Sequence, residues 1–430
     1  MKIFRGHGRR FFLQLCLLMC VGASVAVTHP AQARDTRGVS SLATDYPVAL
    51  SVQIDPATVT DADLNDIRAA GFEFVRFGAR PPLKSVNPSS IDYPRLIKRV
   101  KNARLEAIVT LFGGSAIWGQ NPEDLRPGSR RETRFSEFAT GFIKANAADV
   151  AVWEVWNEPD HKTFLKPEFM ANFKAASSEL CADMARQKLQ PKIVVGYGFA
   201  HMPFVGDKVP ETLEDAFVEA ASSDCLTDIS IHPYRPVPET AFADYGKLRA
   251  QLDQRQLHKT GIVISEWGYA SYLPVRNRST QASLVFREYL INVAADIKLL
   301  NLYAWKDRGR SSFSKEDNFG IMSNAGEKKE AFSALTEFLK IAKHARKVSY
   351  ADDKGANRLV LERDNALLHV VWTQNTERNL TVPVAEGKKC TRVDFFPQMR
   401  RGSCGPRTGG AEGGFAVKAT AYPFLLSVSD

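Results

Sequence analysis

The chain has 430 residues, 44% of them hydrophobic, and a formal net charge of +9, enough length for one large domain and a smaller one. Residues 1–33 hold Lys2, Arg5, Arg9 and Arg10 and no acidic residue, so the rest carries 53 basic against 48 acidic residues, a balance of +5. That mild excess permits an acidic ligand, and no basic run is dense enough to argue for nucleic acid.

Residues 1–33 read as a secretory signal. A positive start precedes an apolar stretch over 11–27, and Ala31-Gln32-Ala33 is a small-x-small cleavage site. An uncleaved anchor is the alternative. Cys20 makes a poor lipidation site because Met19 is bulky at its flank. No later apolar run is long enough to span a bilayer, so a periplasmic or secreted protein without stable membrane insertion is expected.

Downstream, apolar strands alternate with amphipathic helices. Val48, Leu50, Val52 and Ile54 alternate along a strand over 47–54. Thr60 caps a helix over 61–70 that Gly71 ends. A second strand over 72–77 carries Arg76, a helix follows over 93–104, and a third strand over 105–112 leads into a loop with Gly113, Gly114 and Trp118. Phe135, Phe138, Ala139 and Phe142 mark the next helix, before a strand that starts at Val150. Helices over 169–185, 213–221, 245–252 and 280–298 then alternate with strands over 193–197, 229–231, 262–265 and 302–305, and a last helix spans 332–341. Eight strands alternating with helices predict a (β/α)8 TIM barrel over 34–342. From about 343 to 430 the pattern becomes pure strand, at 359–361, 367–372, 380–384, 393–396, 415–417 and 424–428, which predicts a small C-terminal β-sandwich-like domain or open sheet. The glycines at 409, 410, 413 and 414 form a turn, not a phosphate loop, because no helix follows.

Two of the strands end in a carboxylate. Val150-Ala-Val-Trp-Glu-Val-Trp-Asn-Glu-Pro159 is an apolar strand that Pro159 must stop, which leaves Glu158 at its tip. Gly261-Ile-Val-Ile-Ser-Glu-Trp-Gly-Tyr269 places Glu266 in the same way. Two carboxylates at the C-terminal end of one barrel suit glycoside hydrolysis. The pair of motifs resembles the clan A retaining glycoside hydrolases, family 39 above all with family 5 a near neighbour, over roughly residues 46–340. The resemblance implies an exported retaining β-glycosidase with Glu158 as acid/base and Glu266 as nucleophile, without cofactor or metal.

As acid/base, Glu158 must hold a proton near neutral pH, which partial burial and nearby negative charge favour. Glu266 must stay ionised, and Arg76 at the end of the second strand favours this by charge and hydrogen bonding; an ordinary barrel-end salt bridge is the plain alternative. The resemblance implies that Asn157 bonds the sugar 2-hydroxyl, although a turn cap before Pro159 also explains it. It further implies that Tyr234 holds the nucleophile while His232 lines the sugar site, a role that competes with a purely structural histidine. Trp305 at the eighth strand end suits stacking on a pyranose, and Trp118 is a weaker aromatic candidate on its loop. Glu154 shares the strand face of Trp156 and Glu158, points into the barrel, and reads as a buried, paired carboxylate without a catalytic role. Glu106 and Asp228 read as structural.

Cysteines 181, 225, 390 and 404 lie beyond the signal, an even number that suits disulfides in an exported protein. Cys390 with Cys404 is the expected pair, and Cys181 with Cys225 would bridge within the barrel. The spacings fit no zinc site.

Two other readings remain: a catalytically silent carbohydrate-binding protein on the same scaffold, and a transglycosylase using the same intermediate. The intact glutamate pair favours an enzyme. The segment Ser230-Ile-His-Pro-Tyr-Arg-Pro-Val-Pro-Glu239 resembles bacterial family 39-like enzymes of exopolysaccharide production, which points to a polysaccharide or oligosaccharide, with a bacterial exopolysaccharide as one such substrate. Retention requires the two carboxyl groups about 5 to 5.5 Å apart, whereas a separation of about 9 Å would mean inversion.

Overall fold

The computed structural model describes residues 38–80, 91–112, 130–206, 211–222, 225–409 and 413–429. The expected signal over 1–33 lies outside these residues, as does Trp118. Strands β1 (Ala49–Gln53), β2 (Phe74–Ala79), β3 (Glu106–Leu111), β4 (Val150–Val155), β5 (Val194–Phe199), β6 (Asp228–Ile231), β7 (Gly261–Trp267) and β8 (Leu299–Leu302) form a closed parallel barrel in sequence order. Between and after them run α1 (Asp61–Ala69), α2 (Tyr93–Asn102), α3 (Arg130–Asn146), α4 (Met170–Arg186), α5 (Glu211–Ser222), α6 (Thr240–Gln254), α7 (Arg278–Ala294) and α8 (Glu330–Ala342). Among the described residues no helix is long and apolar enough to cross a membrane.

Around the eighth strand two boundaries differ from the sequence expectation. The eighth strand ends at Leu302 and does not span 302–305, while α7 stops at Ala294, short of 298. The apolar run from Ile297 to Trp305 has no internal polar break except Lys298 and Asn301, so periodicity alone cannot divide helix from strand.

The barrel interior has two layers of opposite character. The lower one is apolar: Ala49, Phe74, Ile108, Val152, Val195, Val263 and Leu299 form one cluster, closed from below by Val39. Val39 donates its backbone N–H to Asp228 at 3.0 Å, and Gly38 leaves no room for a Cβ, which would stand 2.7 Å from the same carboxylate. Further along seven of the eight strands, all but β5, the inward positions turn polar. Ser51, Arg76, Thr110, Glu154, Ser230, Ser265 and Asn301 are all at most 2% exposed. Side chains repeat every second residue on a strand, so a two-residue step replaces one complete layer by the next.

The C-terminal region is antiparallel throughout. β9 (Arg346–Asp353), β10 (Ala356–Arg363), β11 (Ala366–Thr373), β13 (Lys389–Asp394), β14 (Arg400–Ser403) and β17 (Phe424–Ser429) make one sheet, ordered β14-β13-β17-β11-β10-β9. β12 (Arg378–Pro383), β15 (Arg407–Thr408) and β16 (Gly414–Ala419) make a second. Val371, Leu426 and Val428 of the first sheet pack against Val382, Phe415 and Val417 of the second. The alternate residues Leu368, Val370, Trp372 and Leu425 join the core shared with the barrel. The large sheet is thus apolar on both faces, one per partner. β9, β14 and β15 escaped the sequence reading because they are mostly exposed and show no apolar alternation. Disulfides join Cys181 to Cys225 and Cys390 to Cys404, with Cα separations of 5.5 and 5.8 Å.

Helix α7 lies between barrel and sheet, and every residue from Gln281 to Ala294 is buried. Its Arg287 donates from Nε and Nη2 to the two oxygens of Glu239 at 2.7 and 2.6 Å, and Trp372 of β11 donates its indole N–H to Glu239 at 2.7 Å. The next residue, Glu288, is fully buried and neither carboxylate oxygen has a hydrogen-bond partner among the described residues. Burial pushes its carboxyl well above the ordinary carboxylate range. A carboxyl raised on folding stabilises the native state below its unfolded value, and that contribution is lost as pH rises towards the folded one. Glu288→Gln keeps the shape without the proton. Its urea midpoint should match that of the wild type near pH 4 and exceed it increasingly up to pH 8. Parallel pH dependences in the two proteins would mean that Glu288 is ionised in the fold.

Candidate active site

The polar layer carries the site. Arg76, 2% exposed on β2, stands among four partners from three other strands and the loop after β4. Its Nε donates to Glu154 at 2.8 Å, Nη1 to Gln53 at 2.9 Å and to Glu266 at 3.1 Å, and Nη2 to Asn157 at 3.0 Å. Glu154 also accepts from the Thr110 hydroxyl at 2.7 Å. Burial alone would raise its carboxyl. The charges of Arg76 and His232, with the hydrogen bond from Thr110, outweigh burial and hold it below the ordinary value.

Glu158 follows the end of β4. Trp156 and Glu158 have φ angles of 70° and 49°, a left-handed backbone that non-glycine residues seldom adopt and that clusters at functional sites. The Glu158 N–H donates to the Gly198 carbonyl at 3.0 Å. Asp160 accepts from the backbone N–H groups of Ala200 and His201 at 2.9 and 2.7 Å, tying this loop to the end of β5. Gly198 itself, at φ 66°, has to be glycine: a Cβ there would lie 2.9 Å from the His232 ring.

His232 follows β6 and is fully buried. Its Nδ1 lies 2.8 Å from Glu158 Oε1, and its Nε2 lies 3.1 Å from the Ser265 hydroxyl. Burial pulls the imidazole down, but the Glu266 charge and the hydrogen bond to Glu158 offset it and leave it above its ordinary value. Tyr234, two residues on, donates its hydroxyl to Glu266 at 2.9 Å. Glu266 therefore receives two hydrogen bonds, one per oxygen, from Arg76 and Tyr234. The β7–β8 pairing shifts register between Ile264 and Trp267. Such irregularities re-aim side chains, and here the adjacent Ser265 and Glu266 both serve the site.

The carboxylate oxygens of Glu158 and Glu266 and a ring nitrogen of His232 come within 4.8 Å of one another. This is also the set of described residues with the spacing to engage a metal ion, although Glu158 and His232 already bond each other. Above it opens a cavity of about 850 Å³, within the range of ligand sites. Arg76, Asn157, Glu266 and Trp305 line it, with Gln53, Tyr303 and Lys306. Trp305 is only 3% exposed and donates its indole N–H to Asp63 at 3.0 Å. Asp63 also pairs with Lys306 at 2.9 Å, and these hydrogen bonds outweigh burial and lower its carboxyl to about 2. Trp305 thus forms a fixed floor that shows the cavity little of its surface.

The structure brings together Glu158, Glu266, Arg76, Asn157, His232, Tyr234 and Trp305. The sequence reading missed Gln53, Thr110 and Ser265 as partners in the network. The available signal was weak: a single polar residue at an inward position of an otherwise apolar strand.

No protein-family model matches the chain, and no curated protein matches it. Solved structures do. A family 39 glycoside hydrolase from Bacteroides cellulosilyticus WH2 is 16% identical, with a TM-score of 0.69 over 90% of this chain and 81% of that one. The fold is similar to that of this family 39 glycoside hydrolase. A monomeric β-xylosidase from Caulobacter crescentus CB15 is 14% identical, with a TM-score of 0.62 over 90% of this chain and 97% of that one. A family 30 endoxylanase from Clostridium papyrosolvens C71 is 12% identical, with a TM-score of 0.56 over 89% and 95%. At these identities the likeness is one of architecture, a (β/α)8 barrel with a β domain.

Arg76 and Glu154 are a buried pair, so removing one partner leaves the other charged and uncompensated. Arg76→Met should cost about 3 to 5 kcal/mol in urea unfolding. Adding Glu154→Gln should restore much of that stability but no activity, because Glu266 would still lack its guanidinium. Additive losses in the double variant would show that the two groups are not coupled.

Proposed function

We propose that the chain is a retaining β-glycoside hydrolase with Glu266 as nucleophile and Glu158 as acid/base. One observation carries the reading: two carboxylates at the same end of the barrel have oxygens within 4.8 Å, and one of them, Glu266, lines an open cavity. That spacing suits direct attack by one carboxylate and leaves too little room for the water that inversion needs between carboxyl groups.

The surroundings support the division of labour. Glu266 is held by a buried cation and a phenol, one per oxygen, which fix the orientation in which it would meet a sugar C1. Glu158 shares its oxygen with a buried histidine that can exchange a proton with it. In the first step Glu266 forms a bond to C1 while Glu158 gives its proton to the departing oxygen. In the second, Glu158 takes a proton from water, which attacks C1 and releases Glu266. Asn157, whose side-chain oxygen accepts from Arg76, has its amide nitrogen for the sugar 2-hydroxyl, and Trp305 underlies the ring. Trp118 remains a candidate further aromatic contact. The substrate is an oligosaccharide or polysaccharide, met outside the cytoplasm after the signal over 1–33 is removed; the likeness of the 230–239 segment to exopolysaccharide enzymes makes a bacterial matrix glycan the first to try.

The two glutamates should respond differently to removal. Glu266→Ala should lose turnover on every substrate, and azide should restore some with a product of inverted configuration. Glu158→Ala should keep the first step on a nitrophenyl glycoside, whose leaving group needs little protonation, and azide should then give a retained product. The same stereochemical outcome from both variants would remove the assignment.

A further inference from the structure

A second cavity, of about 360 Å³, opens where the barrel meets the β domain. On the barrel side it is lined by Ser279 and Glu330, which sit in the first turns of α7 and α8. Helices in this fold start where the preceding strands end, so the cavity shares the catalytic face. On the β-domain side, Phe396 and Tyr422 form an aromatic wall, ring centroids 5.4 Å apart. Arg392 and Asp394 stand beside it in a two-pronged pair, with Nη2 to Oδ1 at 2.8 Å, and the guanidinium lies 3.9 Å over the Phe424 ring. Fixed planar polar groups next to a partly exposed aromatic ring match a sugar, which offers in-plane hydroxyls and an apolar C–H face.

Chain connectivity links this cavity to the cleft. The segment from Glu266 to Ser279 runs from the nucleophile to the second cavity, and the segment from Tyr303 to Glu330 does the same from the eighth strand. The two segments are bonded to each other: Ser271 N–H donates to Asn318 and Leu273 N–H to Ser312, at 3.0 and 2.8 Å. Among the described residues nine large apolar side chains are exposed, and five of them fall on this course. Tyr234 stands at the cleft, Leu273, Val275 and Phe313 on the connecting segments at 48, 63 and 73% exposure, and Tyr422 at the second cavity. Scattered single exposures need no explanation, but five of nine falling beside Glu266, at the second cavity and on the two segments between them do.

We infer that the cavity at Tyr422 and Arg392 is a second sugar-binding site, reached by a glycan chain that leaves the cleft over Phe313. The inference rests on the glycosidase reading and narrows it to a polymeric substrate cut within the chain. Short glycosides fill only the cleft, so they do not sense Tyr422.

The test separates binding from turnover. Protein carrying Glu266→Gln is run through native gels containing arabinoxylan, mixed-linkage β-glucan or alginate. At least one should retard it. Tyr422→Ala should weaken that retention about tenfold, and Phe313→Ser by a smaller factor, as expected for lost stacking contacts. Val348→Ser, an exposed residue away from the course, should change nothing. With Glu266 intact, Tyr422→Ala should hydrolyse 4-nitrophenyl β-xyloside or β-glucoside within twofold of the wild type, which also reports correct folding. Retention that ignores Tyr422 and Phe313, or no retention in any gel, overturns the second site. Failure of the glycosidase reading shows elsewhere, as aryl-glycoside turnover that survives Glu266→Ala.

Discussion

The structure is organised around one buried guanidinium. Arg76 is joined by hydrogen bonds to residues of β1, β4 and β7 and of the loop that carries Glu158. Taking that charge out of water is costly and is tolerable only because Glu154 and Glu266 compensate it and every donor group has a partner. The same arrangement gives the two carboxylates different tasks. Glu154 is enclosed by Arg76, Thr110 and Ser265 and sees no substrate. Glu266 shares Arg76 but keeps 17% of its side chain exposed to the cavity.

The rest of the fold keeps this arrangement rigid. The apolar lower layer with its Val39 plug fills the barrel below, so the polar layer has a packed floor. The β domain acts from the side. It buries α7 and, through Trp372, Glu239 and Arg287, connects its central strand to the segment after β6 that carries His232 and Tyr234. Buried polar networks of this kind specify one arrangement because any other leaves groups unpaired.

The sequence showed the barrel and its two glutamates because both depend on local pattern. Strand and helix periods alternate visibly, and Asn157-Glu158-Pro159 and Ser265-Glu266-Trp267 end apolar runs. Glu154 does point inward, but the face it was expected to share with Trp156 and Glu158 breaks where the strand ends at Val155, and Trp156 packs instead on Phe135 and Phe173. The cross-barrel partners of Glu154 were not legible, since spacing on one strand says nothing of the strand it faces. Ser51, Thr110 and Ser265 each looked like an isolated polar residue. Only the closed barrel shows that they lie at one height. Trp305 was legible as an aromatic at a strand end, whereas its near-complete burial depends on Asp63, held by the capping of α1. The exposed strand β9 lacked the alternation that a half-buried strand would show.

The central claim is that Glu266 becomes covalently bound to the sugar. The direct measurement is incubation with 2-deoxy-2-fluoro-β-xylosyl and β-glucosyl fluorides, followed by peptide mapping by mass spectrometry. The electronegative 2-fluorine slows release, so the intermediate should accumulate. The account predicts one glycosyl adduct, on the peptide that carries Glu266 and absent from Glu266→Gln. An adduct on Glu158, or turnover of these fluorides to the inverted α-sugar without any adduct, would contradict it.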